Sequence, residues 1–427
     1  MTLFQNVTLI DEMGNVTPRT DLLVQGGRIA QIGTAIPCPP GAERIDCTGK
    51  FLTPGLVVLH THTPMNIFRG IAEDVNIDDW FNRELWPFES KMTEQDIYWG
   101  AKLACAEMAQ NGVTAFADHY FGCQHIARAA GELGLRCDLA YTIFGFGGDP
   151  EPELQKAEEL LAAYAGNEMV HLRIGPHSPY ICSPQVLRRL VEAARQHGCG
   201  IHLHVSETAE QVKESYQKYG KSPFAVVAEA GGFTVPCIVA HALYIQKEDL
   251  PLLAGDTFVA ACPKTYLKLG MGEGQLWQHW QSLQLGIGTD GAASSNTIDP
   301  LEQVRLFALL GKWADQAEQF TLPQMWQLLF AGHQALPFGA GRLAVGAPAD
   351  LALWDLDTPA TAPVYDPLAA ILYSASAAAN ITHTMVAGRF VKKEGRLQTD
   401  VTAITKQAAD CAAAITRRGR GESKVYF

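Results

Sequence analysis

Short apolar runs alternate with amphipathic helical patterns eight times between residues 55 and 336, and this alternation leaves few folds open to the chain. The runs are Leu56–His60, Val113–Asp118, Arg136–Thr142, Met169–Gly175, Gly200–Val205, Pro236–His241, Thr257–Cys262 and Leu285–Asp290. Between the runs, Thr93 and Asp96 have the spacing of a capping box, and Ser183 is the expected N-cap of a helix that Gly198 ends. So many consecutive strand–helix units favour a closed (β/α)8 barrel over an open doubly wound sheet.

The two ends of the chain have another pattern, made of short strands and tight turns. We therefore predict an α/β protein in which residues 55–340 form a TIM-like barrel. Residues 1–54 and 341–427 are expected to combine into one small β-sandwich domain, and the second of these segments also holds a C-terminal helix or tail.

Composition excludes several classes of protein. Apolar residues make up 47% and charged residues 18% of the 427 residues, which is typical of a globular chain. The net charge of −12 opposes binding to nucleic acid or an anionic membrane, and we interpret the basic cluster of Arg417, Arg418 and Arg420 as a solvated terminus. Since no stretch reaches the roughly 20 apolar residues of a membrane span and Met1–Ile10 lacks a signal-peptide pattern, we expect a cytoplasmic protein.

Side chains that can bind a metal stand at the carboxyl ends of several predicted strands, where the catalytic groups of such barrels lie. His60 and His62 are two residues apart, so they project to the same side of an extended strand. A lone His-x-His pair has little specificity, but His204 and Asp290 complete a set of three imidazoles and one carboxylate. This set suits one divalent metal, Zn²⁺ first and Fe²⁺ as the alternative, with a position left open for water.

Three further polar residues accompany this set. Glu207 stands three residues beyond His204, where it can act as a proton shuttle, and the alternative is an exposed carboxylate at a helix N-terminus. His241 ends the next strand and can polarise the water or stabilise negative charge, with a buried structural histidine as the alternative. His202 shares a face with His204 but lies deeper, so we interpret it as a hydrogen-bonded core histidine.

Several motifs along nearly the whole chain form one pattern. They are Pro54-Gly55-Leu56 before His60-Thr61-His62, His204-Val205-Ser206-Glu207, His241, Gly288-Thr289-Asp290-Gly291, and the stretch from Gly341 to Leu351. This pattern resembles the amidohydrolase superfamily in its mononuclear-metal deaminase branch. Binuclear branches carry a bridging modified lysine at the end of strand four, where this chain has His171 and Arg173 but no lysine, so the resemblance implies one metal ion. It also implies the metal ligands and catalytic groups: His60, His62, His204 and Asp290 as ligands, and Glu207, His241 and Asp290 in catalysis.

Two segments narrow the resemblance further. Residues 64–89 and 175–180 are similar to the 5-methylthioadenosine/S-adenosylhomocysteine deaminases. By that resemblance Glu89 holds ribose hydroxyls, His177 contacts the nucleoside and Trp86 forms an apolar wall.

Two departures from that family concern the substrate pocket. Members that accept S-adenosylhomocysteine are expected to present arginines near the loop after strand three, whereas residues 144–159 contain none. After strand seven, Lys264 and Tyr266 stand where the family usually has another pattern, and we expect them to reshape the pocket.

These observations predict a metal-dependent hydrolase that deaminates an amino-purine nucleoside of the 5-methylthioadenosine or adenosine type. The nearest alternative is a related hydrolase that acts on triazines or another amino- or chloro-heteroaromatic compound, such as guanine or a pterin. A non-catalytic binding module is the alternative from another class, and it is disfavoured because every expected catalytic position is filled. The expected partner is a small-molecule substrate, and the resemblance implies a homo-oligomer.

Overall fold

The computed structural model describes residues 1–253 and 255–419. Its strands, in chain order, are β1 Thr2–Ile10, β2 Val16–Gln25, β3 Arg28–Gly33, β4 Glu43–Asp46, β5 Phe51–Pro54, β6 Leu56–Thr61, β7 Val113–Tyr120, β8 Arg136–Ile143, β9 Val170–Pro176, β10 Ile201–Val205, β11 Cys237–His241, β12 Thr257–Ala261, β13 Leu285–Ile287, β14 Leu351–Trp354, β15 Ile381–Val386, β16 Arg389–Lys393 and β17 Arg396–Leu397.

Strands β6 to β13 form the predicted barrel. Each strand pairs in parallel with the next one along the chain. The ring is closed beyond the end of β13, where Thr289 N donates to His60 O over 2.8 Å. Gly288 permits this approach, because a Cβ there would lie 2.9 Å from His60 Cβ. Apolar side chains fill the interior below the closure, among them Leu59, Ala117 and Ile238.

The helices between β6 and β13 connect the barrel strands and cover their outer face, and further helices follow the barrel. The α-helices are Ile77–Asp79, Trp86–Glu89, Glu94–Gln110, Cys123–Leu133, Glu151–Ala163, Pro184–His197, Ala209–Tyr219, Pro223–Glu229, Pro263–Lys268, Leu276–His279, Ala292–Ser295, Pro300–Ala314, Leu322–Ala331, Pro367–Ala369, Ala377–Asn380 and Val401–Arg418. The 3-10 helices are Thr63–Phe68, Phe146–Gly148, Gly232–Thr234, Lys247–Leu252, Trp280–Ser282, Ala317–Gln319 and Gly332–Ala335, and π-helical turns span Trp80–Leu85 and Ala370–Ser374. The predicted capping box of Thr93 and Asp96 and the predicted N-cap at Ser183 are both confirmed.

Both chain ends contribute to a second, predominantly antiparallel sheet, as predicted. Its order is β17-β16-β15-β14-β5-β1-β2-β3, with β4 beside β1. The sheet meets the barrel through a buried ion pair, in which Arg136 Nε lies 2.7 Å from Asp350 Oδ2. The proposed division of the chain at residues 54/55 and 340/341 stays a prediction.

The helix Val401–Arg418 follows this sheet and packs on the helix Glu94–Gln110. Arg418 lies 2.8 Å from Asp96, so one of the three predicted solvated arginines is engaged in an ion pair, while Arg420 lies outside the described residues. Within the part of the chain that the structure describes, no helix combines the length and apolarity that a membrane crossing needs.

Candidate metal centre and active site

The four predicted metal ligands converge at the carboxyl end of the barrel. His60 ends β6 and His62 follows it, His204 lies on β10, and Asp290 follows β13. Asp290 Oδ1 lies 3.2 Å from His62 Nε2 and 3.6 Å from His60 Nε2. His204 Nε2 lies 3.4 Å from His62 Nε2. All four side chains are at least 88% shielded from solvent, so the groups meet in a nearly dry space.

In His62 and His204, the hydrogen bond made by Nδ1 determines the tautomer of the ring and the direction of Nε2. His62 Nδ1 donates to His119 O over 2.7 Å, and His204 Nδ1 donates to His177 O over 2.9 Å. In the neutral rings the facing Nε2 atoms therefore carry lone pairs, which repel each other unless a cation lies between them. His60 Nε2 is also buried without a hydrogen-bond partner among the described residues. The donor set therefore fits a divalent metal ion.

Two hydroxyl groups donate hydrogen bonds to the Asp290 oxygen that faces away from the histidines. Ser294 Oγ donates to Asp290 Oδ2 over 2.7 Å and Thr265 Oγ1 over 3.1 Å, which leaves Oδ1 toward the histidines. The backbone around the site is strained: Asp290 has φ +57° and His241 has φ +74°, in the left-handed region that residues with a Cβ rarely adopt. Such strain is typical of sites whose surroundings impose the geometry.

Burial dominates the protonation of the neighbouring groups. It lowers the pKa of His204 and of His241 to about 4, so both rings are neutral at pH 7. Burial also lowers the pKa of His62, but Asp290 outweighs that effect and raises the pKa to about 9. Burial raises the pKa of Glu207. The cluster thus favours one added positive charge, as a metal site requires.

Glu207 and His241 lie beside the cluster. Glu207 Oε1 is 3.4 Å from His241 Nε2. Thr208, not Glu207, caps the helix Ala209–Tyr219, so the alternative of a plain N-cap carboxylate is wrong. The predicted hydrogen-bonded core histidine is also found, since His202 Nε2 lies 2.9 Å from His60 Nδ1.

A cavity of about 160 Å³ opens onto the cluster. Two of the three predicted substrate-binding residues, Glu89 and His177, line it. Glu89 is buried and accepts a hydrogen bond from Tyr120 Oη over 2.5 Å, and burial raises the pKa of its carboxyl group. Trp86 is not among the described residues that line the cavity; its ring lies between those of Phe81 and Phe144, which do.

Several residues of this cavity were not predicted from the sequence, and two other residues were misplaced. Among those that were not singled out are His119, Tyr180 and Gln211, which all line the cavity. The expectation that Lys264 and Tyr266 reshape the pocket is wrong for the described residues. Lys264 binds Glu302, and Tyr266 lies behind His241, whose carbonyl oxygen accepts from its hydroxyl over 3.2 Å.

The barrel and the convergent His-Asp cluster define a metal-dependent barrel hydrolase. The sequence profile of the amidohydrolase family matches residues 51–391. The chain belongs to this family. A 5-methylthioadenosine/S-adenosylhomocysteine deaminase from Desulforudis audaxviator (strain MP104C) is 35% identical over 401 residues, which cover 91% of this chain and 93% of that protein.

Two solved structures extend the comparison. The crystal structure of an adenosine deaminase from Xanthomonas campestris with bound zinc has a TM-score of 0.93 and 26% identity, over 97% of this chain and 98% of that one. Atrazine chlorohydrolase from Arthrobacter aurescens TC1, complexed with zinc, has a TM-score of 0.89 and 22% identity, over 96% and 100% of the two chains. The second likeness concerns the fold alone.

Proposed function

We propose that the protein is a zinc-dependent deaminase of an adenosine-type nucleoside. The observation that carries this proposal is the position of Glu207 and His241 beside the His-Asp cluster, in a cavity that also holds the buried carboxyl group of Glu89. The name of the 35% identical relative supports the same substrate class.

His60, His62, His204 and Asp290 would hold the metal, which supplies Lewis acidity and lowers the pKa of water toward neutrality. Glu207 Oε1 takes the proton of the attacking water and delivers it to a ring nitrogen of the purine, which makes the amine-bearing carbon electrophilic. The neutral His241 and the Asp290 carboxylate orient the attacking oxygen. The proton that remains on the added hydroxyl group then passes to the amino group, so ammonia leaves from the tetrahedral carbon and a carbonyl group remains.

Glu89 and His177 are proposed to bind the nucleoside. A carboxylate accepts two hydroxyl hydrogen bonds, which suits the vicinal hydroxyls of ribose. The ring of His177 stacks on Phe144 with centroids 5.1 Å apart, and together they offer a flat apolar surface. Trp86 supports this surface from outside, since its ring lies 6.3 Å from that of Phe144.

The 5′ substituent is proposed to be small and uncharged. Four carboxyl groups line the described cavity, from Asp78, Glu89, Glu207 and Asp290, and no lysine or arginine of the described residues does. The carboxylate of an amino-acid tail would meet like charges there and no lysine or arginine side chain of the described residues. A thioether instead gains from contact with aromatic rings.

Ammonia release from a substrate panel tests the function. Metal-replete protein is expected to deaminate 5-methylthioadenosine and adenosine more efficiently than guanine, pterins or triazines. Release of ammonia from the free heterocycles but not from the nucleosides would favour the triazine-type hydrolase. No release from any compound, with the metal bound, would favour a binding module.

Two variants separate the chemistry from structural damage. Glu207→Gln is expected to lower kcat by about a hundredfold to ten-thousandfold, because the proton shuttle is lost, while zinc content is retained. Glu210→Gln is the control, since Glu210 lies on the helix Ala209–Tyr219 and its exposed carboxylate pairs with Lys213 at the surface. A Glu207→Gln protein with undiminished kcat would contradict the proposal.

Location in the cytoplasm and assembly into homo-oligomers stay predictions from the sequence.

A further inference from the structure

Two side chains outside the metal cluster bind the same oxygen of Glu207. Tyr180 Oη donates to Glu207 Oε2 over 3.1 Å, and Gln211 Nε2 donates to it over 3.4 Å. The other oxygen, Oε1, is the one that lies 3.4 Å from His241 Nε2. The two oxygens of the carboxyl group therefore have different surroundings. Oε2 faces Tyr180 and Gln211, and Oε1 faces His241 and the metal cluster.

The orientation of the Gln211 amide is determined by the backbone. Gln211 Oε1 accepts from the N–H groups of Glu207 and Thr208, both over 3.1 Å, as part of the capping box that begins the helix Ala209–Tyr219. Because the amide oxygen is engaged by two donors, the amide nitrogen must face Glu207 Oε2. The capping box that begins the helix therefore also sets the direction in which Gln211 Nε2 donates.

The hydroxyl group of Tyr180 stays a donor over the whole working range of pH. Burial, together with the nearby Glu207 carboxylate, raises the pKa of Tyr180 well above its ordinary value.

We propose that Tyr180 and Gln211 are positioning residues, which hold Glu207 Oε2 so that Oε1 alone carries the proton between water and substrate. This rests on the proposed function of Glu207 as proton shuttle. A carboxyl group free to rotate would spend part of its time with neither oxygen at the reacting atoms, and catalysis depends on pre-set geometry.

Tyr180→Phe tests the first of these contacts. With 5-methylthioadenosine as substrate, kcat is expected to fall about tenfold or more, since a hydrogen bond to a charged group is lost, while KM stays within about twofold. The acid limb of the pH profile of kcat/KM is expected to move to higher pH, because the ionised carboxylate has lost a donor. Tyr244→Phe is the control: its hydroxyl donates to Met271 O, away from the site, and kcat should be unchanged.

Gln211→Glu tests the second contact without removing the helix cap, because a glutamate at this position still completes a capping box. Its carboxylate replaces the N–H donor with an acceptor, so kcat is again expected to fall by about tenfold or more. An unchanged kcat in both variants would overturn the proposal, and so would a rise in KM alone, since that marks residues that bind substrate.

A crystal structure of zinc-loaded Tyr180→Phe gives a readout that needs no substrate. The Glu207 side chain is expected to leave its single rotamer or to occupy several, whereas Tyr244→Phe should keep it in place. A Glu207 rotamer identical to that of the unsubstituted protein would overturn the positioning role. If the unsubstituted protein deaminates no nucleoside, the proposed function fails, and the rotamer still decides whether Tyr180 positions Glu207.

Discussion

His202 Nε2 lies 2.9 Å from His60 Nδ1, in the buried centre of the barrel. The two residues stand on β10 and β6, which are not neighbours in the sheet. With His60 Nε2 directed at the metal position, His60 Nδ1–H donates this hydrogen bond and His202 Nε2 accepts it. The acceptor fixes both the tautomer and the ring plane of a proposed ligand.

Replacing His202 by leucine should weaken zinc binding. His60 Nδ1–H would then be buried without an acceptor, and loss of such a partner lowers metal affinity by about tenfold to a hundredfold. Competition with a chromophoric chelator measures the zinc dissociation constant. His197→Leu is the control, because His197 lies on an outer helix and contacts Glu158. Equal zinc affinity in the His202→Leu protein and the control would contradict this role.

The metal ligands could be predicted from the sequence, whereas the contact between His202 and His60 could not. The eight apolar runs match the barrel strands closely, and the ligands could be predicted because the carboxyl ends of parallel strands meet at one face. The contact between His202 and His60 crosses the barrel interior, and strand order along the chain carries no information on it. His119 was missed because the second run was expected to end at Asp118, whereas β7 continues to Tyr120.

Tyr180 and Gln211 were not predicted, for another reason. Their contacts with Glu207 depend on the path of the loops after β9 and β10, which periodicity does not specify. The available signal was the spacing of Thr208 and Gln211, which is that of a capping box and predicts that the glutamine side chain turns back toward Glu207.

Removal of the metal should lower stability as well as abolish activity. The His60, His62, His204 and Asp290 side chains are buried and turn their inward atoms toward one another, and His60 Nε2 has no hydrogen-bond partner among the described residues. A cation bound between them therefore stabilises the native state alone. At a free zinc concentration a hundredfold above the dissociation constant, the free energy of unfolding should rise by about 2.7 kcal/mol. Urea unfolding of chelator-treated protein with and without added zinc measures it.

Asp290→Asn is the control for the metal experiment. The amide lacks the negative charge that faces His62 over 3.2 Å, so the zinc-dependent gain in stability should be smaller than in the unsubstituted protein. The same gain in both proteins would place the stabilising zinc at another position.

The charge at the cavity mouth should determine which 5′ substituents are accepted. Because no described lysine or arginine lines the cavity, kcat/KM for 5-methylthioadenosine is expected to exceed that for S-adenosylhomocysteine by about tenfold or more, the equivalent of one missing charge-assisted hydrogen bond. Phe146→Arg should reduce this ratio, since Phe146 is 66% exposed and its ring stacks on that of Phe144 with centroids 5.1 Å apart.

Phe146→Gln separates the new charge from the lost ring. Both variants remove the aromatic side chain, but only the arginine can pair with a carboxylate, so only Phe146→Arg should gain activity toward S-adenosylhomocysteine. A wild-type preference for S-adenosylhomocysteine would show that the cavity recognises the charged tail in another way.

Lys392 should make stability increase with pH in alkaline solution. It is fully buried on β16, and Nζ donates to Gln110 O and Ala378 O over 2.9 and 2.8 Å. Burial lowers the pKa of Lys392 from 10.5 to about 8. Below pH 8 both the native and the unfolded chain hold the proton. Between pH 8 and 10.5 the unfolded chain still holds a proton that the native state has released, so the free energy of unfolding rises with pH.

The measurement is the difference between the unsubstituted protein and Lys392→Met, because other buried groups titrate in the same range. From pH 8 to 10.5 the unsubstituted protein should gain up to about 3 kcal/mol relative to Lys392→Met in urea unfolding. Lys393→Met is the matched control, since the neighbouring ammonium lies at the surface beside Glu43 and should give no such gain. Parallel pH profiles for the unsubstituted protein and Lys392→Met would mean that the buried amine keeps its proton, held by the two carbonyl oxygens.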